Sequence, residues 1–229
     1  MLGARFVRQS RQVQIVVRWP PRKTSKGGQV PLHIQDPTNP DSDYLVDVLL
    51  EACKGAKAGG GAFAFLSAGG VKLLLRDEAF GNFLRQGEFE LLVGVDAITD
   101  TAAMAALASV RLDFPSIATR VFVPNHSRSI FHPKIAWFDN GDGGYLIAGS
   151  GNLTAGGLRW NIEAFSFQEL DAPAMSALRA QWDGYLELTA ANQLAPEDER
   201  VVALLERNAA RRAAMRVAAA PKPGAAVDG

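Results

Sequence analysis

Hydrophobic and polar positions change period several times along this chain, and each change marks an element. Leu45, Val48, Leu49 and Ala52 recur at helical spacing behind Ser42 and Asp43, either of which can cap a helix. Gly59-Gly60-Gly61 ends that pattern, and Ala62-Phe63-Ala64-Phe65-Leu66 reads as a short buried strand. Past Gly69-Gly70 a helical pattern runs through Leu73, Leu74 and Phe83, interrupted at Gly81. A strand is expected over Phe89–Val95, an alanine-rich helix from Asp100 to about Val110, and another strand over Thr119–Val123. Strand, turn and strand follow from Phe131 to Ser150 across the Asp139–Gly144 turn, then a strand over Ile162–Phe167. Asp171, with Pro173 in the first turn, opens a helix bearing Met175, Leu178, Trp182 and Tyr185 on one face. A last helix runs from about Glu197 to Val217. Its first turn is acidic, and Arg207, Arg211, Arg212 and Arg216 near its end suit the helix dipole, so these arginines read as structural.

Strands alternating with helices predict an α/β layered sheet flanked by helices. The chain has 229 residues, 48% hydrophobic and 21% charged, enough for one sizeable core with extra segments at its ends. Ahead of that core, Val13–Val17 has strand character ended by Pro20-Pro21, and residues 22–40 read as a polar loop. Three segments are expected: a basic N-terminal strand and linker over 1–40, a main domain over 41–190, and a C-terminal helix with a disordered tail over 191–229. The single cysteine, Cys53, rules out an intrachain disulfide and fits a reducing compartment. No apolar run reaches signal-peptide length or the roughly 18 residues of a membrane helix, so a cytoplasmic protein without membrane contact is expected. Net charge is zero, which excludes a protein that is basic overall. Residues 1–35 nevertheless carry Arg5, Arg8, Arg11, Arg18, Arg22, Lys23 and Lys26 without an acidic residue. Such an arm either contacts phosphates or is simply solvated.

The chemistry concentrates after Phe131. In Phe131-His132-Pro133-Lys134-Ile135-Ala136-Trp137-Phe138-Asp139, residues two apart share a strand face. His132 and Lys134 therefore lie together and make a site for an anion. Pro133 lacks an amide hydrogen and marks a strand start or edge. Tyr145-Leu146-Ile147-Ala148-Gly149-Ser150-Gly151-Asn152 is an apolar strand running into a small corner with a hydroxyl and an amide. Such corners bring backbone amides close to a phosphate. Asn161 and Glu163 open the next strand.

His-x-Lys-x4-Asp, then Gly-Ser-x-Asn, then a carboxylate one strand later, resembles the HKD motif of the phospholipase D superfamily. The wording His-Pro-Lys, Gly-Ser-Gly-Asn-Leu-Thr and Asn-x-Glu is most similar to its bacterial nuclease branch, which includes some restriction endonucleases. The match is close over residues 131–167. The resemblance implies a phospholipase D-like catalytic domain over 41–190, with a single HKD motif per chain. It implies a metal-independent, cofactor-free phosphodiesterase in which His132 attacks phosphorus and forms a phosphohistidine that water resolves. Lys134 and Asn152 would hold the non-bridging oxygens, with Ser150 in the same corner. Glu163 would hydrogen-bond the imidazole, and Asp139 would be more structural than catalytic. A second histidine is needed as general acid, and His33 and His126 lack a lysine two residues on. The family's answer is a homodimer with both motifs at the interface.

Around these residues, Arg128 and Arg159 are candidates for neighbouring phosphates, and Gly149 and Gly151 for close approach of substrate. His126 reads as an exposed loop residue. Asp139–Gly144 superficially resembles a calcium loop, but glycines stand where ligands are required, so it reads as a turn and no metal is expected. No cysteine–histidine cluster has zinc spacing, and no Walker A motif is present. The expected substrate is DNA or RNA. By resemblance, a role in restriction or phage defence, with a separate specificity or helicase subunit, would follow. Two alternatives stand beside this reading: a lipid phosphodiesterase, and a non-catalytic member that binds nucleic acid or acts as a scaffold.

Overall fold

The computed structural model describes residues 32–219, apart from 97 and 127. The expected strand at Val13–Val17, the basic arm and the tail beyond 219 lie outside the described residues. An eight-stranded mixed sheet runs in the order β1-β7-β6-β5-β2-β3-β4-β8. Its strands are β1 (Leu32–Gln35), β2 (Ala58–Phe63), β3 (Glu88–Gly94), β4 (Ile117–Phe122), β5 (Lys134–Asp139), β6 (Gly143–Gly149), β7 (Glu163–Asp171) and β8 (Gln193–Leu194). Strands β2, β3 and β4 are parallel, and every other pairing is antiparallel. The helices are α1 (Leu45–Ala52), α2 (Ala68–Gly70), α3 (Glu78–Gln86), α4 (Thr101–Asp113), α5 (Ala172–Leu188) and α6 (Glu199–Ala219). No helix among the described residues is long and apolar enough to cross a membrane.

The three consecutive glycines do not break a helix as expected; they sit inside the central strand β2. Aromatic rings from the neighbouring strands lie against them on both faces. A Cβ on Gly60 would come within 2.4 Å of the Trp137 indole, and one on Gly59 within 3.0 Å of both Phe138 and Phe89. On the Gly59 face, Phe80 and Phe83 of α3 pack edge-on to Phe89, at 5.2 and 6.1 Å between ring centres. On the Gly60 face, Met175, Trp182 and Leu186 of α5 close over Trp137, Ala62 and Leu92. Trp182 adds a hydrogen bond from its indole to Glu90 at 2.8 Å. Leu186 takes the inward place expected for Tyr185, which is exposed.

Three further expectations are corrected. The compact part begins before Asp41, because Leu32–Gln35, expected as loop, forms an edge strand on β7. Neither Ser42 nor Asp43 caps α1; its N-cap is Tyr44 without a side-chain bond, and the buried Gln35 amide oxygen accepts from Leu45 N instead. The break in the helical region past Gly70 falls near Asp77 rather than at Gly81. Asp77 caps α3 by accepting from Ala79 N, and Gly81 lies buried within that helix.

Asp100 and Asp171 cap α4 and α5, as the sequence suggests, through Ala103 N and Ala174 N. Arg212 of α6 pairs with Asp100 and donates to Ile98 O at 3.0 Å, while buried Asn208 donates to Val95 O and Thr99 O. These bonds tie α6 to the start of α4. Cys53 is buried, and burial pushes its thiol up to about 12, so it packs as an inert apolar group.

Candidate active site

Residue Lys134 begins β5 opposite Phe63, the last residue of β2. The site therefore lies at the carboxyl ends of the parallel strands, where open α/β sheets place their ligands. His132 precedes the strand; Pro133 has no amide to donate, but its carbonyl accepts from Ala64 N at 2.8 Å and registers the segment on β2. The Lys134 ammonium stands 2.8 Å from His132 Nδ1 and 3.0 Å from Nε2, and donates to the His132 carbonyl at 3.0 Å. An ammonium only donates, so the imidazole serves here as its acceptor. Burial pushes the Lys134 pKa below the usual lysine range, against the opposing pull of the Glu163 charge. The ring of Phe65 meets the imidazole edge-on at 5.8 Å.

The glycine-rich corner is held to the end of β2. Phe65 N donates to Asn152 Oδ1 at 3.2 Å, and Ser67 N to Leu153 O at 3.1 Å. With its oxygen taken, the Asn152 amide presents its Nδ2 hydrogens as donors. Gly149 and Gly151, candidates for substrate approach, are tightly packed. A Cβ on Gly149 would come within 2.4 Å of Ala164 O, and one on Gly151 within 2.5 Å of Leu45. Their side of the corner is closed by Gly157, where a Cβ would meet Asn152 N at 2.4 Å.

Glu163 opens β7. Its carboxylate accepts from the Ser150 hydroxyl and, at 3.1 Å, from Asn161 Nδ2. The Ser150 oxygen in turn accepts from Ala164 N at 3.0 Å. The single hydroxyl proton of Ser150 is thus committed to Glu163. Among the described residues Glu163 is hydrogen-bonded to Ser150 and Asn161, and the imidazole to Lys134, so the expected Glu163–imidazole bond is not formed here. Glu163 acts on Lys134 through its charge.

Three residues without an assigned role in the expected site support it. Gln35 is fully buried and donates to Gly157 O at 3.3 Å and Asn161 O at 2.9 Å. It thereby fixes the π-helical turn Gly156–Trp160 that precedes Asn161. Phe65 orients Asn152, and Asn161 orients Glu163. The Asn-x-Glu spacing pointed to Asn161; nothing local in the sequence points to Gln35.

The remaining candidates sit as follows. Arg159 lies over the Tyr44 ring at 4.5 Å and pairs with Asp47 at 3.7 Å. Arg128 is exposed in the loop before Phe131, where its amide donates to His126 Nδ1 at 3.2 Å. Asp139 is at the other end of β5, buried, accepting from Gly141 N at 2.7 Å and paired with Arg179 at 2.8 Å. The turn after it runs through Gly141 and Gly143, both at positive φ.

The α/β sheet thus gathers an imidazole, an ammonium, an amide and a carboxylate at the carboxyl ends of its parallel strands, a set of groups suited to an anion. No protein-family profile matches the chain, and no curated protein does. Solved structures do match. Nuc from Salmonella typhimurium, a phospholipase D family member, aligns with a TM-score of 0.52 at 16% identity, over 72% of this chain and 95% of that one. NucT from Helicobacter pylori aligns with a TM-score of 0.51 at 12% identity, over 73% and 98%. The chain has the phospholipase D fold.

Proposed function

We propose that this protein is a metal-independent phosphodiesterase, a nuclease that cleaves DNA or RNA through a covalent phosphohistidine. The observation that carries the reading is that His132 and Lys134 at the start of β5, Ser150 and Asn152 just past the end of β6, and Glu163 at the start of β7 lie at one end of three adjacent strands. An imidazole nitrogen of His132 attacks phosphorus, and the bond to the leaving oxygen breaks. That oxygen takes a proton from the partner's His132. Water then attacks phosphorus, gives its proton to the same partner imidazole, and the phosphorus–nitrogen bond breaks. The Lys134 ammonium and Asn152 Nδ2 hold the non-bridging oxygens, where negative charge grows in the transition state. Ser150 and Asn161 hold Glu163, which balances the charge of Lys134. One chain supplies one imidazole of this kind, so the working unit is a two-fold homodimer with a shared site. A place in restriction or phage defence, with a separate specificity or helicase subunit, rests on the sequence resemblance.

The test incubates the purified protein and His132→Ala with labelled single-stranded DNA, duplex DNA and RNA in excess EDTA. Cleavage by the wild type and none by the variant is expected. Cleavage that survives His132→Ala would overturn the mechanism, and none from the wild type on any substrate would overturn the nuclease reading.

A further inference from the structure

Trp160 ends the π-helical turn Gly156–Trp160 and is 63% exposed, and the mechanism above does not use it. The next residue, Asn161, holds Glu163, so the indole stands one residue from the carboxylate network. The ring is backed rather than loose. The Arg159 guanidinium lies 5.7 Å from its centre and 4.5 Å from that of Tyr44, and pairs with Asp47 at 3.7 Å. Gln35 fixes the turn from beneath through Gly157 O and Asn161 O.

A second copy of the chain, which the shared site would bring to His132, is the rival occupant, and the edge strand offers protein partners a further surface. Ile34 pairs with Ala164 while Gln35 pairs with Glu163, so Leu32 and Ile34 project from the face opposite Gln35 and Glu163. Leu32 and Ile34 are 72% and 52% exposed and give an apolar patch suited to protein contact. Trp160 instead has the Arg159 cation beside its ring, shared with the Tyr44 phenol. Exposed aromatic rings combined with arginine on a phosphate-directed surface are how proteins hold unpaired bases, because every base has a π-face.

We propose that Trp160, backed by Arg159, is a stacking platform for an unpaired nucleobase beside the scissile phosphate, which makes the substrate single-stranded nucleic acid. The inference rests on the nuclease reading. Bases in a duplex stack on one another and do not offer that face without being flipped out.

The test measures binding by fluorescence anisotropy in the uncleaving His132→Ala protein, with and without Trp160→Ala or Trp160→Phe. The probes are labelled oligothymidine, an abasic oligonucleotide of equal length and a duplex. Trp160→Ala should weaken oligothymidine binding about tenfold, the size of one base stack, and leave abasic binding unchanged. Trp160→Phe should restore most of the loss. An equal loss on all three probes, no loss on any, or dissociation of a dimer seen by light scattering would overturn the platform. If the protein with His132 intact cleaves nucleic acid while Trp160→Ala binds oligothymidine normally, the platform alone falls. If it neither binds nor cleaves any nucleic acid, the nuclease reading falls as well.

Discussion

Replacing Gly70 with alanine tests how the glycine-rich corner of the proposed site is held, because the added methyl meets backbone rather than a movable side chain. Gly70 ends α2 one turn after Ser67, whose hydroxyl accepts from Gly70 N and whose amide donates to Leu153 O. A Cβ at this position would lie 2.1 Å from Leu153 O, 2.5 Å from Leu153 C and 2.7 Å from Thr154 N. Ordinary contact begins near 3.4 Å, so the two segments must part by roughly 1.3 Å. Overpacking of this kind costs about 1–3 kcal/mol. At this chain length each kcal/mol lowers Tm by about 2–4 °C, giving an expected drop of about 2–12 °C. The displaced loop begins next to Asn152, and a misplacement of about 1 Å in a catalytic group costs roughly a hundredfold in rate. Thermal denaturation and cleavage of a labelled oligonucleotide read the two effects. Gly184→Ala is the control: it lies within α5 with nothing inside 4 Å of its added Cβ, and should gain about 0.5–1 kcal/mol at unchanged activity. Gly70→Ala with the Tm and the cleavage rate of the wild type would refute the account of the corner.

Other substitutions separate charge, orientation and scaffold. Because burial holds Lys134 below the usual lysine range, its charge is present at low pH and lost as pH rises through the depressed value. The log of kcat/KM should therefore fall on the alkaline side, and Lys134→Arg should carry that limb to higher pH at a lower plateau; an unmoved limb would assign it to another group. The unfolded chain binds more protons in the same window, so Lys134 makes the fold more stable, not less, as pH rises there. Glu163→Gln should lower kcat roughly ten- to a hundredfold, the worth of hydrogen bonds to a charged group, with Tm shifted by only about a few degrees. A normal kcat would remove Glu163 from the site. Asp139→Ala should cost about 1–3 kcal/mol through its lost bonds to Arg179 and Gly141, seen as a lower Tm at unchanged cleavage. Lost cleavage at an unchanged Tm would contradict that structural role.

What the sequence reveals of this site is what local spacing can carry. His132 and Lys134 stand two apart at a strand start, and Ser150 and Asn152 flank one glycine of a tight corner, so period and composition bring each pair together. The caps at Asp100 and Asp171 are equally local. What stayed hidden depends on partners distant in the chain. The glycine run at 59–61 looks like a helix stop until Trp137, Phe138 and Phe89 are seen lying on it, since glycine in a strand makes sense only with its cross-strand neighbours. Gln35 sits in a stretch of polar and proline residues that reads as loop. Its role appears only when Leu45, Gly157 and Asn161 surround its amide. The π-helical turns Val71–Leu75 and Gly156–Trp160 have no periodic signature at five residues each.

On the proposed mechanism, the hydrogen-bond pattern also divides the motif into groups that face substrate and groups that hold them. The Ser150 hydroxyl donates to Glu163, and the Asn152 oxygen accepts from Phe65 N, so neither group is available to a phosphate in this arrangement. The Lys134 ammonium and the Asn152 Nδ2 hydrogens are left to meet negative charge. Lys134 now rests on the imidazole, which is both its acceptor and the proposed nucleophile. A phosphate oxygen is a stronger acceptor for an ammonium than a neutral ring nitrogen is. On the proposed mechanism, drawing Lys134 toward the phosphate would therefore bind the substrate and free the nitrogen lone pair that attacks it. Glu163, fixed by Ser150 and Asn161, stays beside Lys134 through that exchange, which accounts for a carboxylate that acts on the imidazole's partner rather than on the imidazole.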